Sequence, residues 1–217
     1  MVWAMFPVFS YLLGAIPFGR VIGARVARID VRQGGSGNIG ATNVARQVGL
    51  KWGVVTLVLD ALKGAIPVVL AGVLTEGARG LPEACGLAAI LGHQFSVFLG
   101  FGGGKGVATA LGVFAALQPL VCVGSIIVFL AVVAFFDYVS LGSIAAAWSI
   151  PLLTGVMGSP LERVVVGLIA AALITVRHRE NIERLIQGKE THWKKRKKIS
   201  SIAQADDPIP RQSKNGW

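Results

Sequence analysis

The sequence predicts an all-α integral membrane protein. Seven transmembrane helices are expected, N-terminus outside and C-terminus inside, with short half-helices and glycine-rich loops on the cytoplasmic face. Three observations carry this expectation. The 217-residue chain is 53% hydrophobic and only 15% charged, whereas an average soluble domain is about one-quarter charged. Its apolar residues form long runs, with no charged side chain from Val107 to Phe136 and none from Tyr138 to Leu161. Runs of about 20 apolar residues suffice to cross a bilayer core. Finally, threading the runs alternately across a membrane puts every strongly basic segment on one side, as the positive-inside rule requires.

The first run, 2–21, lacks a basic start and a cleavage site of the usual kind. Arg20, Arg25, Arg28 and Arg32 follow it and hold the next loop in the cytoplasm. A polar, glycine-rich segment spans 25–51, and the second run covers 52–74. The loop 76–83 carries no positive bias and suits the outer face. The third run, 84–99, leads inward to the glycine loop around Lys105. Run 107–118 rises only about 18 Å as a helix, so it is a half-helix or is supported by neighbours. Runs 119–136, 141–157 and 164–176 complete the count. Asp137 and Tyr138 mark an inner turn, and Pro151 predicts a kink.

Beyond Val176, RHRENIERLIQG places Ile182, Leu185 and Ile186 on one helical face. Glu180 and Arg184 stand at i, i+4, and Gly188 stops the helix. This segment reads as a short helix at the inner interface. Residues 1–190 therefore read as the transmembrane domain and 191–217 as a basic, disordered cytoplasmic tail containing KKRKK at 194–198. The formal charge of +10 points to anionic lipid and topology, not to nucleic acid. Cys85 and Cys122 both lie in apolar runs and read as buried free thiols.

Polar chemistry gathers in a few places. GGSGNIGATNVAR at 34–46 sets Ser36, Asn38, Thr42 and Asn43 in glycine-rich backbone with Gly37 and Gly40. Successive exposed amides in such backbone bind anions, and Arg46 adds a guanidinium suited to phosphate. Five glycines lie within 100–106 around Lys105. Gly103, Gly104 and Gly106 flank the lysine, so amides and an ammonium converge on one anion in this reading. Asp60 and Lys63 share a helical face inside the second run. Intramembrane charges are costly and face the protein interior or a wet cavity. A paired structural role and a direct binding role are equally supported by the sequence. His93 has no Cys or acid at metal spacing, and a lone histidine there is more often a hydrogen-bonded core residue than a ligand.

Two apparent motifs fail on context. Gly35, Gly37 and Gly40 match G-x-G-x-x-G with Asp60 further on, but no soluble parallel sheet accompanies them. Gly104–Lys105 is not a P-loop, since Leu99 replaces the first glycine and Gly106 the Ser/Thr. His178 and Glu183 have a His-x4-Glu spacing, but residues five apart on a helix do not face each other.

Taken together, SGNIGATN (36–43) with Arg46, LDALKG (59–64), GH (92–93), FGGGKGVAT (101–109) and RHRENIERLIQG (177–188) resemble the bacterial membrane family of acyl-phosphate:glycerol-3-phosphate acyltransferases called PlsY. YLLGAIPFG (11–19) and YVSLGS (138–143) add to the resemblance, which covers about residues 8–190. It implies a seven-span enzyme of the bacterial inner membrane with its active site facing the cytoplasm. The enzyme would move an acyl chain from acyl phosphate to the 1-hydroxyl of glycerol 3-phosphate, giving lysophosphatidic acid and phosphate. By resemblance, Ser36, Arg46, Lys105 and Asn181 form the phosphate site, with His178 and Glu180 close by, and an acyl-phosphate-forming enzyme supplies the donor. No metal and no organic cofactor is implied. Ser36, Asn38, His93 and Lys105 are the expected catalytic set. The chain departs from the family pattern where Ser96 stands for an expected proline, and where Gly102 and Asp137 stand for expected basic residues. The rival class, on the residues alone, is a transporter or channel for an anionic phosphorylated metabolite, which broken helices and intramembrane charge serve equally well.

Overall fold

The computed structural model describes residues 2–76 and 78–193. Among the described residues there are helices and turns and no strand. The order is α1 (Met5–Ala15), α2 (Phe18–Ile22), α3 (Ala41–Gln47), α4 (Leu50–Leu74), α5 (Leu81–Gln94), α6 (Val107–Leu117), α7 (Pro119–Phe136), α8 (Val139–Val156), α9 (Leu161–Arg177) and α10 (Arg179–Ile186). Among the described residues, four helical stretches are long and apolar enough to cross a membrane: Met5–Ala27, α4, α7 and α8. Helices α5, α6 and α9, with 14, 11 and 17 residues, are shorter.

The first run is a broken helix, and the reason is Pro17. Proline has no N–H to offer the carbonyl one turn back, and the Leu13 carbonyl accepts from Ile16 N–H instead, at 3.2 Å. Two carbonyls at this break are then bonded by side chains from elsewhere. Ser96 Oγ donates to Ala15 O at 2.6 Å, and Lys63 Nζ donates to Ile16 O at 2.7 Å. Ser96 thus ties the loop after α5 to the end of α1. Pro151 does not end α8, which runs on through it.

Helix α4 packs against α1, α3, α5 and α6, while α7, α8 and α9 pack in sequence. The α4–α6 contact is close because both helices put glycine there. A Cβ on Gly64 would overlap the carbonyl of Thr109, and one on Gly112 would overlap the carbonyl of Ala61. Helix α6 starts from Gly106, whose φ of +83° belongs to the left-handed region that glycine occupies without strain. Its other end stops inside the protein at buried Gln118. There Thr154 Oγ1 donates to Gln118 Oε1 at 2.8 Å, and Gln118 Nε2 donates to Ser159 Oγ at 2.5 Å. The half-helix is therefore held by its neighbours, with Ala110, Val113 and Phe114 in the main apolar core.

A second, smaller core of Ile22, Val31, Ile39 and Val44 sits under the loop before α3. The first residues of the expected tail do not hang free. His192 stacks on the Tyr138 ring at 4.6 Å, and the Trp193 amide donates to the Asp137 carbonyl at 2.9 Å. Asp137 therefore serves as the docking point for the chain after α10. The KKRKK run lies outside the described residues.

Candidate active site

The loop 34–40 is shaped by two left-handed glycines and one buried amide. Gly35 and Gly37 have φ of +62° and +66°, which L side chains rarely adopt. Asn43, at the start of α3, accepts from Ser36 N–H at 3.0 Å and donates to the carbonyls of Val31 and Asn38 at 2.8 and 2.7 Å. Asn38 Oδ1 in turn accepts from Gly40 N–H at 2.8 Å. The side chain of Gln47 also clamps Val31 O and Gly34 O. One turn of α3 thus holds the whole loop, with Ser36 at its tip.

The glycine loop is held from α5 and α9. Arg177 donates to the carbonyls of Gly103 and Gly104 at 2.8 and 3.1 Å, and Gln94 Nε2 donates to Lys105 O at 2.9 Å. The Gly104 amide is spent on His93 O, at 3.1 Å. A Cβ on Gly103 would overlap the backbone of His93 and Gln94, and one on Gly104 would overlap the His93 ring. Gly103 and Gly104 are required for close packing, and the Gly104 amide is turned away from the cavity onto α5.

The two loops, with α10, the C-terminal half of α7 and the N-terminal end of α8, enclose a cavity of about 340 Å³. Ser36, Asn38, Gly40, Thr42, Asn43, Arg46, Asp60, His93, Lys105, Gly106, His178 and Asn181 line it. The sequence had named each of these. Five others that it named do not line the cavity. Gly37 is a turn residue, Gly103 and Gly104 pack against α5, and Glu180 is exposed on α10. Lys63 is buried behind the wall, 2.7 Å from Asp60 Oδ1 and bonded to Ile16 O.

The cavity also contains residues that the sequence did not assign to the site: Arg184, Glu190, Ser140 and Ser143, with Leu57, Val107, Phe129 and Val139 as an apolar wall. Arg184 does not pair with Glu180 as its helical spacing suggested; its Nε lies 2.7 Å from Glu190 Oε2. Glu190 Oε1 accepts from Asn181 Nδ2 at 2.7 Å and from Ser140 Oγ at 2.9 Å. The other end of the Asn181 amide, Oδ1, accepts from Lys105 Nζ. A chain of bonds therefore links Lys105, Asn181, Glu190 and Arg184. No sequence signal isolates Glu190, because its partners come from three separate segments.

Burial is the largest influence on Lys105 and brings its pKa down to about 8, with Arg184 and Arg46 pushing the same way and Glu190 and Glu180 opposing. His178 is lowered to about 4, first by burial and then by the Lys105 charge. His178 is neutral at physiological pH. Its Nδ1 lies 2.8 Å from the Ile174 carbonyl. A carbonyl only accepts, so Nδ1 carries the proton and Nε2 is left as an acceptor. For Glu190 burial acts upward, but hydrogen bonds from Asn181, Arg184 and Ser140 outweigh it and hold the carboxyl below its ordinary value. Glu190→Gln keeps the side chain's shape and removes its charge. The expected result is that the alkaline decline of kcat/KM, set by Lys105, moves to lower pH. A pH–rate profile of the purified variant beside wild type checks this, and an unmoved decline would contradict the assigned linkage.

Helices long and apolar enough to cross a membrane, around a cavity lined by Arg46, Lys105 and Arg184 with one apolar wall, define a multi-pass membrane protein. Residues 4–188 match the family model for glycerol-3-phosphate acyltransferase. The glycerol-3-phosphate acyltransferase of Desulfotalea psychrophila is 48% identical over 195 residues, covering 88% of this chain and 98% of the relative. That of Trichlorobacter lovleyi is 50% identical over 185 residues, covering 85% and 94%. The crystal structure of PlsY, an integral membrane glycerol 3-phosphate acyltransferase, in its glycerol 3-phosphate form superposes with a TM-score of 0.85 at 45% identity, covering 89% of this chain and 96% of that one. Its lysophosphatidic acid form superposes with a TM-score of 0.83. The chain belongs to the glycerol-3-phosphate acyltransferase family.

Proposed function

We propose that the protein transfers a fatty acyl group from acyl phosphate to the 1-hydroxyl of glycerol 3-phosphate, at the cytoplasmic face of a bacterial inner membrane. The observation that carries this reading is the cavity's division of labour. Arg46, Lys105 and Arg184 supply cations for phosphate, while Leu57, Phe129, Val107 and Val139 offer an apolar side for an acyl chain. A water-soluble phosphate ester and a lipid-borne phosphate both fit such a site. In this reading the chain crosses seven times, N-terminus out and C-terminus in, with α5, α6 and α9 as the short spans. An acyl-phosphate-forming enzyme supplies the donor.

Acyl phosphate is a mixed anhydride with a good leaving group, so the attack needs orientation and charge stabilisation more than a strong base. The 1-hydroxyl oxygen bonds to the acyl carbon, the carbon–oxygen bond to phosphate breaks, and the hydroxyl proton passes to a phosphate oxygen. The products are an ester and hydrogen phosphate. Ser36, Asn38 and His93, all in the lining of the cavity, position the hydroxyl and the carbonyl. Neutral His178 has no charge to offer phosphate and serves as a hydrogen-bond acceptor.

The decisive measurement uses purified protein with glycerol 3-phosphate and either acyl phosphate or acyl-CoA. Lysophosphatidic acid formed from acyl phosphate alone is expected. Equal product from acyl-CoA would reject the donor assignment.

A further inference from the structure

We propose that Asp137 and His192 are positioning residues for the transfer reaction. They latch the chain after α10 to the α7–α8 turn, and so hold Glu190 and, through it, Asn181 and Lys105 in place. This role rests on the acyltransferase reading above and adds a part to its machinery. Neither residue lines the cavity, but Thr191 and Val139, close by in each segment, do.

Helix α10 has little of its own to hold its far end. Of its eight residues only Asn181 is buried, and Ile186 is 81% exposed. Most helical stability comes from packing an apolar face, and that contribution is small here. The near end is fixed by buried His178, whose Nδ1 lies 2.8 Å from Ile174 O. At the far end Gly188, with φ of +65°, turns the chain back. Three contacts then tie the returning chain to the start of α8 in one antiparallel register. Glu190 accepts from Ser140 Oγ at 2.9 Å, the His192 ring stacks on Tyr138 at 4.6 Å, and Trp193 N–H donates to Asp137 O at 2.9 Å. Both nitrogens of His192 are engaged as well. Its Nδ1 lies 3.4 Å from Asp137 Oδ2 and its Nε2 lies 3.2 Å from Tyr138 Oη.

The latch matters because of what Glu190 holds. Its carboxylate accepts from Asn181 Nδ2 and Arg184 Nε, each at 2.7 Å, and Asn181 Oδ1 accepts from Lys105 Nζ. Asn181 and Arg184 both belong to α10, so a carboxylate bonded only to them would move with that helix. Ser140 and the contacts of His192 join it to α8, which contributes Val139 to the apolar wall. The latch therefore fixes the cations that receive phosphate relative to the wall beside the acyl chain. Misplacement of about 1 Å in a reacting site can cost on the order of 100-fold in rate.

The charged groups that face Lys105 are Arg46 from α3, Glu180 and Arg184 from α10 and Glu190 from the returning chain, with buried His178 beside them. Of these charges Glu190 has the largest influence, and it favours the ammonium. The test is the pH profile of kcat/KM for glycerol 3-phosphate, with acyl phosphate as donor, on the full-length enzyme in lipid. His192→Ala is expected to lower the plateau by about three- to tenfold, the scale of a ring pair and an exposed ion pair, and to move the alkaline decline to lower pH. That sign separates the latch from a direct charge effect. Losing an imidazole can only remove positive charge near Lys105, which would move the decline up. In a Glu190→Gln background His192→Ala should move the decline no further. His192→Gln, which keeps a donor for Asp137, should recover part of the loss. His192→Phe, which keeps only the ring on Tyr138, should fall between wild type and His192→Ala, and it decides if the alanine variant does not fold. A decline that stays in place while the plateau falls is what a purely structural role gives, and it overturns the proposal. So does an equal further shift in the Glu190→Gln background. Wild type inactive with acyl phosphate would instead reject the acyltransferase reading.

Discussion

Lys105→Ala is expected to lower kcat/KM for glycerol 3-phosphate by about 10²–10³-fold, the scale of removing one preorganised charge-stabilising donor. The side chain has little freedom to be replaced. Its backbone carbonyl is bonded by Gln94, the neighbouring Gly104 is packed on His93, and its ammonium donates to Asn181. Water filling the truncated space would not restore a fixed cation. The pH dependence gives a second reading of the same residue. Its pKa is lowered to about 8 by burial, so the ammonium is present below that pH and lost above it. Wild-type kcat/KM, which reports the free enzyme, is therefore expected to decline as pH rises through about 8. Lys105→Arg carries a charge that does not titrate in this range. Whatever activity it retains should show no such decline. A wild-type profile flat from pH 7 to pH 9.5, or near-normal turnover in Lys105→Ala, would remove Lys105 from the phosphate site.

Gly64→Ala is the second large effect, and it acts on the fold. The added Cβ would meet the Thr109 carbonyl, a backbone atom that cannot rotate away. Overpacking of this kind costs roughly 1–3 kcal/mol, and Gly112→Ala, facing the Ala61 carbonyl, should cost as much. The two sit in one interface, so their effects should not simply add. Gly72→Ala in the same helix provides the control, since nothing lies within 4 Å of a Cβ there. Thermal unfolding in a fixed detergent should separate the Gly64 and Gly112 variants from Gly72→Ala, which should match wild type. Activity should follow stability, because α4 carries Asp60 and Leu57 while α6 begins at the Lys105 loop. Forcing these helices apart moves Lys105 away from the wall it faces. Equal melting of all three variants would mean that the α4–α6 contact is looser than described.

Much of this site was legible from residue types. A lysine amid glycines, and Ser36 and Arg46 in glycine-rich backbone, are unusual in an apolar chain, and the cavity includes all three. The purpose of the glycines was not legible. Gly103 and Gly104 were read as offering amides to an anion, but whether an amide points outward depends on what lies behind it. Here the Gly104 N–H is turned onto His93 O, and the missing side chains make room for α5. Arg184 was similarly misplaced. Helical spacing put it with Glu180, while the chain after Gly188 folds back to present Glu190.

The sequence by itself determined that the chain is helical, apolar enough for a membrane, and polar in a few short segments. Those properties depend on local composition and period, which are read one segment at a time. Only the tertiary structure decided which polar groups share a cavity and which are buried behind it. Lys63 and Asp60 are three residues apart and equally polar, yet Asp60 lines the cavity and Lys63 is turned to Ile16 O at the break made by Pro17. That separation depends on where a carbonyl from α1 and a ring from α5 come to rest against α4. Only packing among distant segments sets such positions.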